Sequence, residues 1–286
     1  MSATQPFASS GAINIIGALL EQRTGQQIAA NRAWRIETAL KTVLRAHGLD
    51  SVDALIARLT SAAPGPLADA VVDALLNNET SFFRDPGVLE LVVEAAAAMV
   101  AEQPGRRLRI WSVGCSTGQE PYSLAMLFEE AYVARGLPFP EIVATDVSAA
   151  TVDRARSGRF SQFEIQRGLP IRRMMTWFDQ EGTEWVVRPD LARRIQFRRH
   201  NLVQDSAPPG KFDLILCRNV LFYFPLAMRA RAYQTLRSAV RDGGALLLGA
   251  GETVIGQTDA FVPCARIRGL YRADTARCAP PVSAFG

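Results

Sequence analysis

The stretch RIWSVGCSTGQEPYSLAM (109–126) decides the fold, because it has the pattern of a buried strand, a glycine-containing turn and a helix. Gly114 and Gly118 permit backbone angles that other residues resist, and they let a ligand lie close to the main chain. The spacing G-x-x-x-G lacks the third glycine of the dinucleotide fingerprint and the lysine of a phosphate-binding loop. Acidic Glu120 at the helix start would repel a pyrophosphate. We therefore predict a cationic ligand, such as one carrying an ammonium or a sulfonium.

Short β-rich runs alternate with helical runs on both sides of this stretch. Strands are predicted at RLRIWSV, EIVATDV, RRIQFRR, FDLILCR and GALLLGAG. This alternation predicts an α/β fold, with a mainly parallel, doubly wound sheet that has helices on both faces. The irregular region between helix and strand predicts a small β hairpin around Gln180–Gly182.

The first third of the chain has a different pattern, since residues 12–100 are mostly helical by their periodicity. The segment NRAWRIETALKTVLRAHG, for example, places Ile36, Leu40, Val43 and Leu44 on one face. We predict two domains. A helical N-terminal domain with its linker covers residues 1–86, and a ligand-binding domain covers 87–286, with a small β subdomain at about 170–199.

The composition limits the classes of protein. Hydrophobic residues make up 48% and charged residues 21%, as in ordinary globular proteins. No apolar run approaches the roughly 20 residues of a membrane span, and no basic region precedes the first apolar stretch as in a signal peptide. The four cysteines, Cys115, Cys217, Cys264 and Cys278, lack metal-ligand spacing. We expect a cytoplasmic protein without a metal site or membrane insertion, and a net charge of +4 is too weak to indicate nucleic acid.

Polar residues end two further predicted strands. Asp146 lies about 30 residues after the glycine turn, at the place where an acid typically accepts hydrogen bonds from ribose hydroxyls. The alternative is that Asp146 caps the following helix, although Ser148 is also suited to that role. Arg218 and Asn219 follow the apolar run LILC and are expected either at the ligand crevice or in a capped turn. Ribose and a cationic group without phosphates describe S-adenosylmethionine.

These segments strongly resemble the CheR family of chemotaxis-receptor methyltransferases. The resemblance spans about residues 12 to 257, and its specificity comes from the combination of NETSFFR, GCSTGQEPYS and CRNVLFYF. It implies a class I S-adenosylmethionine-dependent methyltransferase fold, with S-adenosylmethionine as cofactor and S-adenosylhomocysteine as product.

The resemblance also assigns roles to single residues. Glu120 would hold the methionine ammonium and Asp146 the ribose, while Asn201 and Leu202 would flank the adenine. The remaining cofactor contacts would come from the linker, the glycine turn and a strand end: Asn78, Thr80, Arg84, Gly114, Arg218 and Asn219. Phe82 and Phe83, next to Arg84, are expected to pack between the two domains.

The implied reaction is methyl transfer to the side-chain carboxylate of a receptor glutamate, which gives a glutamyl methyl ester. A glutamate is ionised at neutral pH, so no general base is required. Arg84 would position the carboxylate through a forked pair of hydrogen bonds. Tyr223 would donate a hydrogen bond to it or pack beside the methyl group, unless it is only a core aromatic.

The proposed partner is an acidic, amphipathic cytoplasmic helix of a methyl-accepting receptor. Trp34, Lys41 and Arg45 share one face of a predicted helix, with Arg32 and Arg35 beside them, and this face would dock the receptor helix. A solvated polar face with Trp34 packed internally is the alternative.

The chain also departs from the family pattern. Gln119 replaces one of two acids, and GAGET (249–253) replaces a His-Ser-Glu sequence, which puts a substrate role for those residues in doubt. Region 174–199 lacks a glycine-rich extension, so recognition without a tether peptide is our hypothesis.

Two other functions share the cofactor site. One is a methyltransferase of RNA or of a small molecule, since region 188–199 is basic. The other is a non-catalytic module that senses S-adenosylmethionine.

Overall fold

The computed structural model describes residues 10–28, 33–61, 65–102 and 105–273. The chain forms two compact units, and the first of them comprises the residues up to Asn77 together with Tyr223–Met228. The second unit runs from Asn78 to Phe222 and resumes at Arg229. The division therefore falls between Asn77 and Asn78, whereas the sequence suggested a boundary after residue 86.

The first unit is helical. Within the described residues it contains α1 (Ser10–Thr24), α2 (Ala33–His47), α3 (Val52–Ser61) and α4 (Pro66–Leu75). Both α1 and α2 pack against α4. The apolar face that periodicity predicted for α2 is confirmed, because its four residues are buried: Ile36, Leu40, Val43 and Leu44.

The second unit is an α/β unit. Its strands are β1 (Arg109–Val113), β2 (Glu141–Asp146), β3 (Arg159–Ser161), β4 (Phe178–Glu181), β5 (Glu184–Val187), β6 (Ile195–Arg199), β7 (Phe212–Cys217), β8 (Val240–Leu248), β9 (Phe261–Pro263) and β10 (Leu270–Ala273). Its helices are α5 (Pro86–Glu102), α6 (Gln119–Val133), α7 (Ala149–Ser157), α8 (Gln162–Gln166), α9 (Ile171–Trp177) and α10 (Pro189–Ala192). A 3-10 helix (Leu221–Tyr223) and α11 (Leu226–Ala239) follow β7, and the segment Tyr223–Met228, which overlaps both, belongs to the first unit.

Seven strands form the large sheet, in the order β6-β2-β1-β7-β8-β10-β9. The first five run parallel, and β10 is antiparallel to both of its neighbours. The register places Val113 of β1 beside Thr145 of β2 and Cys217 of β7. The prediction of a mainly parallel α/β fold is confirmed, and the residues that follow these three strands start at one edge of the sheet.

Phe82 and Phe83 belong to the hydrophobic core of the α/β unit. The Phe82 ring lies 5.0 Å from Phe160 and 5.6 Å from Phe178, both in edge-to-face geometry. The Phe83 ring lies under the Arg173 guanidinium, whose carbon is 4.4 Å from the ring centre. The packing that we expected between domains is thus found within one unit.

A second sheet of three antiparallel strands, β3-β5-β4, belongs to the same unit. Its hairpin joins β4 to β5 through a turn at Gly182, whose φ is +61°, as the sequence predicted. The sheet begins at Arg159, and β6 belongs to the large sheet, so the small subdomain lies earlier than the range 170–199. The three residues of β3 are too few to show an alternating pattern.

Among the described residues, no helix has both the length and the apolar character that crossing a bilayer would require. That same part of the chain also holds no cluster of His, Cys, Asp or Glu side chains suited to a metal ion.

Candidate functional site

The glycine turn after β1 is fixed by close packing. Gly114 has φ +66°, and a Cβ at this position would lie 2.5 Å from Cγ2 of Val220. Gly118, at φ +100°, is the N-cap of α6, and a Cβ there would lie 3.2 Å from that of Ala155. Ser116 between them also has a positive φ of 49°. A side chain at position 114 would force Val220 to move, and it would also be strained by the positive φ, so glycine is required there.

Asp146, at the end of β2, binds the glycine turn directly. The N–H of Ser116 donates to Oδ2 at 2.9 Å, and the N–H of Ser148 donates to Oδ1 at 3.1 Å. The cap of α7 is Ser148, whose Oγ accepts from the N–H of Thr151 at 3.0 Å. Asp146 is therefore not the cap residue of that helix.

An ionic cluster lies beside the turn. Glu120 accepts hydrogen bonds from Ser112 Oγ at 2.8 Å and from Nη1 of Arg218 at 3.0 Å. Nη2 of Arg218 donates to Asp85 at 2.5 Å, and the Arg218 side chain is only 2% exposed. One guanidinium and two carboxylates give the cluster a formal charge of −1. A buried guanidinium paired in this way holds its carboxylates in place, and the remaining charge favours a cation.

The linker residues are attached to the same cluster and turn. Nη2 of Arg218 donates to the backbone carbonyl of Arg84 at 3.0 Å, and the carbonyl of Asn78 accepts from Ser116 Oγ at 2.9 Å. The side chain of Arg84 is exposed, and the structure records no hydrogen bond for it or for the Thr80 side chain within the described part of the chain. Both side chains are therefore available to a ligand.

The loop after β6 lies next to Asp146. The N–H of His200 donates to the carbonyl of Asp146 at 2.8 Å. Asn201 and Leu202 are buried, and Asn201 Oδ1 accepts from the N–H of Val203 at 3.1 Å. Burial lowers the pKa of His200 below its usual 6.5. The hydrogen bond to the Ser206 carbonyl raises this pKa, but its effect is smaller than that of burial.

Glu252 is a residue whose importance the sequence did not reveal. Its Oε2 accepts from the N–H groups of Asn219 at 2.8 Å and Gly249 at 2.9 Å. Its Oε1 accepts from the N–H groups of Val220 at 2.9 Å and Leu221 at 2.7 Å. This carboxylate joins the end of β8 to the segment that carries Arg218 and Asn219. A glutamate just after a strand and two glycines was the only signal.

The two buried thiols at the site are not nucleophiles. Burial, and then the nearby carboxylates of Asp146 and Glu120, raise the pKa of Cys115 well above its ordinary value. Burial likewise raises the pKa of Cys217, together with the carboxylate of Glu252. Both thiols stay protonated at neutral pH, so they supply no thiolate.

Two buried polar atoms beside the site have no hydrogen-bond partner within the described residues. They are Nδ1 of His200 and Nε of Arg218. Buried polar atoms are rarely left unpaired, and a bound ligand or water is the usual explanation. Together with the carboxylates of Asp146 and Glu120, they form a set of donors and acceptors that fits a cationic nucleoside with free ribose hydroxyls.

Tyr223 is part of the helical unit. Its hydroxyl accepts a hydrogen bond from the side-chain amide of Asn77, and its carbonyl accepts from the N–H of Gln27 at 2.8 Å. The catalytic role given to Tyr223 stays a prediction.

One of the two basic surfaces predicted from the sequence, region 188–199, contains paired arginines. In region 188–199, Arg188, Arg193 and Arg194 form ion pairs with Asp179, Asp190 and Glu129. These pairs offset much of the charge that an RNA would need.

On α2, Lys41 and Arg45 are exposed, as a docking face requires. Arg32 and the side chains of Trp34 and Arg35 lie outside the described residues, so their part of the predicted face stays a prediction.

Comparison with known proteins gives consistent matches. Residues 78–268 match the family model described as "CheR methyltransferase, SAM binding domain". The chain is 34% identical over 247 residues to chemotaxis protein methyltransferase Cher2 of Pseudomonas putida, covering 85% of this chain and 90% of that protein. It is 33% identical over 259 residues to chemotaxis protein methyltransferase 1 of Pseudomonas aeruginosa, covering 89% and 94%. A chemotaxis protein methyltransferase of Vibrio parahaemolyticus is 34% identical over 245 residues, covering 85% and 89%.

Proposed function

Since this chain belongs to the CheR methyltransferase family, we propose that it methylates the side-chain carboxylates of glutamates in a chemotaxis receptor, with S-adenosylmethionine as the methyl donor. The observation that carries the proposal is the arrangement at the sheet edge. There Asp146 ends β2 and binds the glycine turn that follows β1. Arg218 follows β7 and binds both Glu120 and Asp85.

The residues at this edge fit the cofactor in chemical terms. Glu120 would accept from the methionine ammonium, because each of its oxygens has one recorded donor and room for a second. Asp146 would accept from the ribose hydroxyls, and Asn201 and Leu202 would flank the adenine. When bound, the cofactor supplies a methyl group on a positively charged sulfur. A carboxylate oxygen can bond to the methyl carbon as the bond between that carbon and the sulfur breaks.

The chain needs no general base for this reaction, because an acceptor glutamate is already ionised at neutral pH. The protonated thiols of Cys115 and Cys217 and the lowered pKa of His200 are compatible with that chemistry. What the protein must supply is alignment of the carboxylate with the methyl group and exclusion of water.

Two residues are proposed to orient the acceptor carboxylate. The exposed guanidinium of Arg84 has donors available, while its backbone is held by Arg218. Tyr223, whose oxygen accepts from the side-chain amide of Asn77, is proposed to donate a hydrogen bond to the same carboxylate. The acceptor would be an acidic cytoplasmic receptor helix that docks on the basic face of α2, so the reaction would occur in the cytoplasm.

The test is incubation with methyl-labelled S-adenosylmethionine and a set of receptor cytoplasmic fragments. We expect a label on the receptor that alkali releases as methanol, because glutamyl methyl esters are hydrolysed by base. A base-stable label on RNA or on a small molecule would overturn the proposal. Cofactor binding without any transfer would instead support a non-catalytic sensing module.

A further inference from the structure

A cavity of about 520 Å³ opens at the carboxyl edge of the sheet, next to the ionic cluster. Asp85 and Arg218 line one side of it, and the residues after β8, from Gly249 to Thr253, line another. Arg268, two residues before β10, and Tyr271 within β10 line a further side. All of these residues belong to the α/β unit.

The position of the cavity separates it from the residues predicted to bind nucleoside. In the sheet, β7 lies between β1 on one side and β8 on the other, and β10 follows β8. Asp146 ends β2 and Asn201 follows β6, and both strands lie on the far side of β1. A group in the cavity would therefore lie beside Arg218 without occupying the ribose and adenine positions. An acceptor needs such a place, because it must approach the cofactor without displacing it.

Of the four charged side chains that line the cavity, three have recorded partners within the described residues. Asp85 and Arg218 pair with each other, and the carboxylate of Glu252 accepts four backbone N–H groups. The structure records no ion pair or hydrogen bond for the side chain of Arg268 within the described residues, and this side chain is exposed. Arg268 is thus the charged side chain of the lining that remains available to pair with an anionic group of an occupant, such as a carboxylate.

The backbone holds Arg268 firmly at this wall. The carbonyl of Gly269, the next residue, accepts from the N–H of Leu248 at 2.9 Å, which fixes the turn to the end of β8. The N–H of Leu270 donates to the carbonyl of the buried Ile267 at 3.2 Å. A guanidinium on such a fixed turn can form a forked pair of hydrogen bonds to a carboxylate at little cost in backbone entropy.

We propose that this cavity is the acceptor subsite and that Arg268 binds a carboxylate of the acceptor protein other than the one that is methylated. Arg268 is then a specificity-determining residue that favours glutamates with an acidic neighbour. This inference rests on the proposed function, because it assumes a protein acceptor rich in glutamate.

The test measures binding as well as activity. A fluorescent helical peptide that presents several glutamates is titrated with protein loaded with S-adenosylhomocysteine, and fluorescence anisotropy gives the dissociation constant. We expect Arg268→Gln to weaken binding at least tenfold and Arg268→Lys to weaken it less. The matched control is Arg266→Gln, since Arg266 is also exposed, lies two residues away and does not line the cavity. It should bind as the wild type does, and S-adenosylhomocysteine affinity should be unchanged in all variants.

A second peptide has glutamine in place of every glutamate but one. It keeps the shape of the first peptide and removes its extra negative charges, so it tests whether Arg268 recognises charge. The wild type should bind this peptide weakly, and Arg268→Gln should have no further effect on it. The proposal is overturned if the wild type does not bind the glutamate peptide, or if Arg268→Gln and Arg266→Gln bind it equally well. Peptide binding that depends on Arg268, without methyl transfer to any receptor, would instead overturn only the proposed function.

Discussion

Arg84 is the residue at which the structure makes the proposed reaction most testable. Its backbone carbonyl is fixed by Arg218, whereas its side chain is exposed. Because orientation of the acceptor is the main contribution of the protein, we expect Arg84→Ala to lower kcat/KM more than tenfold. Arg172→Ala removes another exposed arginine of the same unit and should have little effect. Near-normal kinetics in Arg84→Ala, with an unchanged unfolding midpoint, would remove Arg84 from the mechanism.

His200 makes the stability depend on pH. Burial lowers its pKa in the folded protein, so the folded state binds a proton less readily than the unfolded chain, whose histidine titrates near 6.5. Its contribution to the free energy of unfolding is therefore fully present above pH 6.5 and is lost as the pH falls below that value. We expect the urea midpoint to fall between pH 7.5 and pH 5.5, and to fall less in His200→Gln.

The other histidine provides the control, since the chain contains only two. His47→Gln should keep the full loss of stability on acidification. If His200→Gln and the wild type lose stability equally over this range, His200 is not responsible for the change.

At the scale of elements, the end of β8 and the segment after β7 are held together by Glu252. Gly249 lies inside this junction, where a Cβ would be 2.9 Å from both the N–H nitrogen of Asn219 and Oε2 of Glu252. Gly251 has nothing within 4 Å of the same position, and neither glycine has a positive φ. The two glycines form a matched pair.

We expect Gly249→Ala to lower the free energy of unfolding by about 1–3 kcal/mol through overpacking, and to weaken binding of S-adenosylhomocysteine. Gly251→Ala should be neutral or slightly stabilising, because alanine restricts the unfolded chain. Urea denaturation of both variants measures the difference. Equal stability of the two variants would show that the junction tolerates a side chain and is less rigid than its hydrogen bonds indicate.

The elements that could be predicted from the sequence are those with long apolar or periodic patterns. The strands β1, β2, β7 and β8 were predicted because buried parallel strands are mainly apolar runs. The strand β6 has apolar residues at alternating positions, Ile195 and Phe197, which is also a strand pattern. The strands β3 and β9 have three residues each, which is too few for a period to be visible. The polar strand ends could be predicted for the same reason, since they interrupt apolar runs abruptly.

The contacts within the site could not be predicted. Arg218 and Glu120 are 98 residues apart in sequence, and Glu252 is 33 residues from Asn219. No local pattern links such residues, because their meeting depends on the order of strands in the sheet. For the same reason the sequence assigned both Glu120 and Arg218 to the ligand without revealing that they pair with each other.

At the scale of the whole molecule, we expect the positive charges on α2 to control how strongly the protein binds its receptor. Lys41 and Arg45 are exposed on α2, and an acidic helix would be attracted to them. We expect the double variant Lys41→Glu with Arg45→Glu to raise KM for the receptor about tenfold, while affinity for S-adenosylhomocysteine stays unchanged. Arg58→Glu reverses an exposed charge on α3 and is the matched control. Unchanged receptor methylation in the double variant would exclude this face as the docking surface.

The central claim is that the edge of the sheet beside Asp146 and Glu120 binds a positively charged sulfur nucleoside. The most direct measurement is calorimetric titration of the protein with S-adenosylmethionine and with its demethylated product. We predict saturable binding of one molecule per chain, weakened at least tenfold by Asp146→Ala. The absence of binding at ligand concentrations up to about 1 mM, which corresponds to roughly −4 kcal/mol, would contradict the claim.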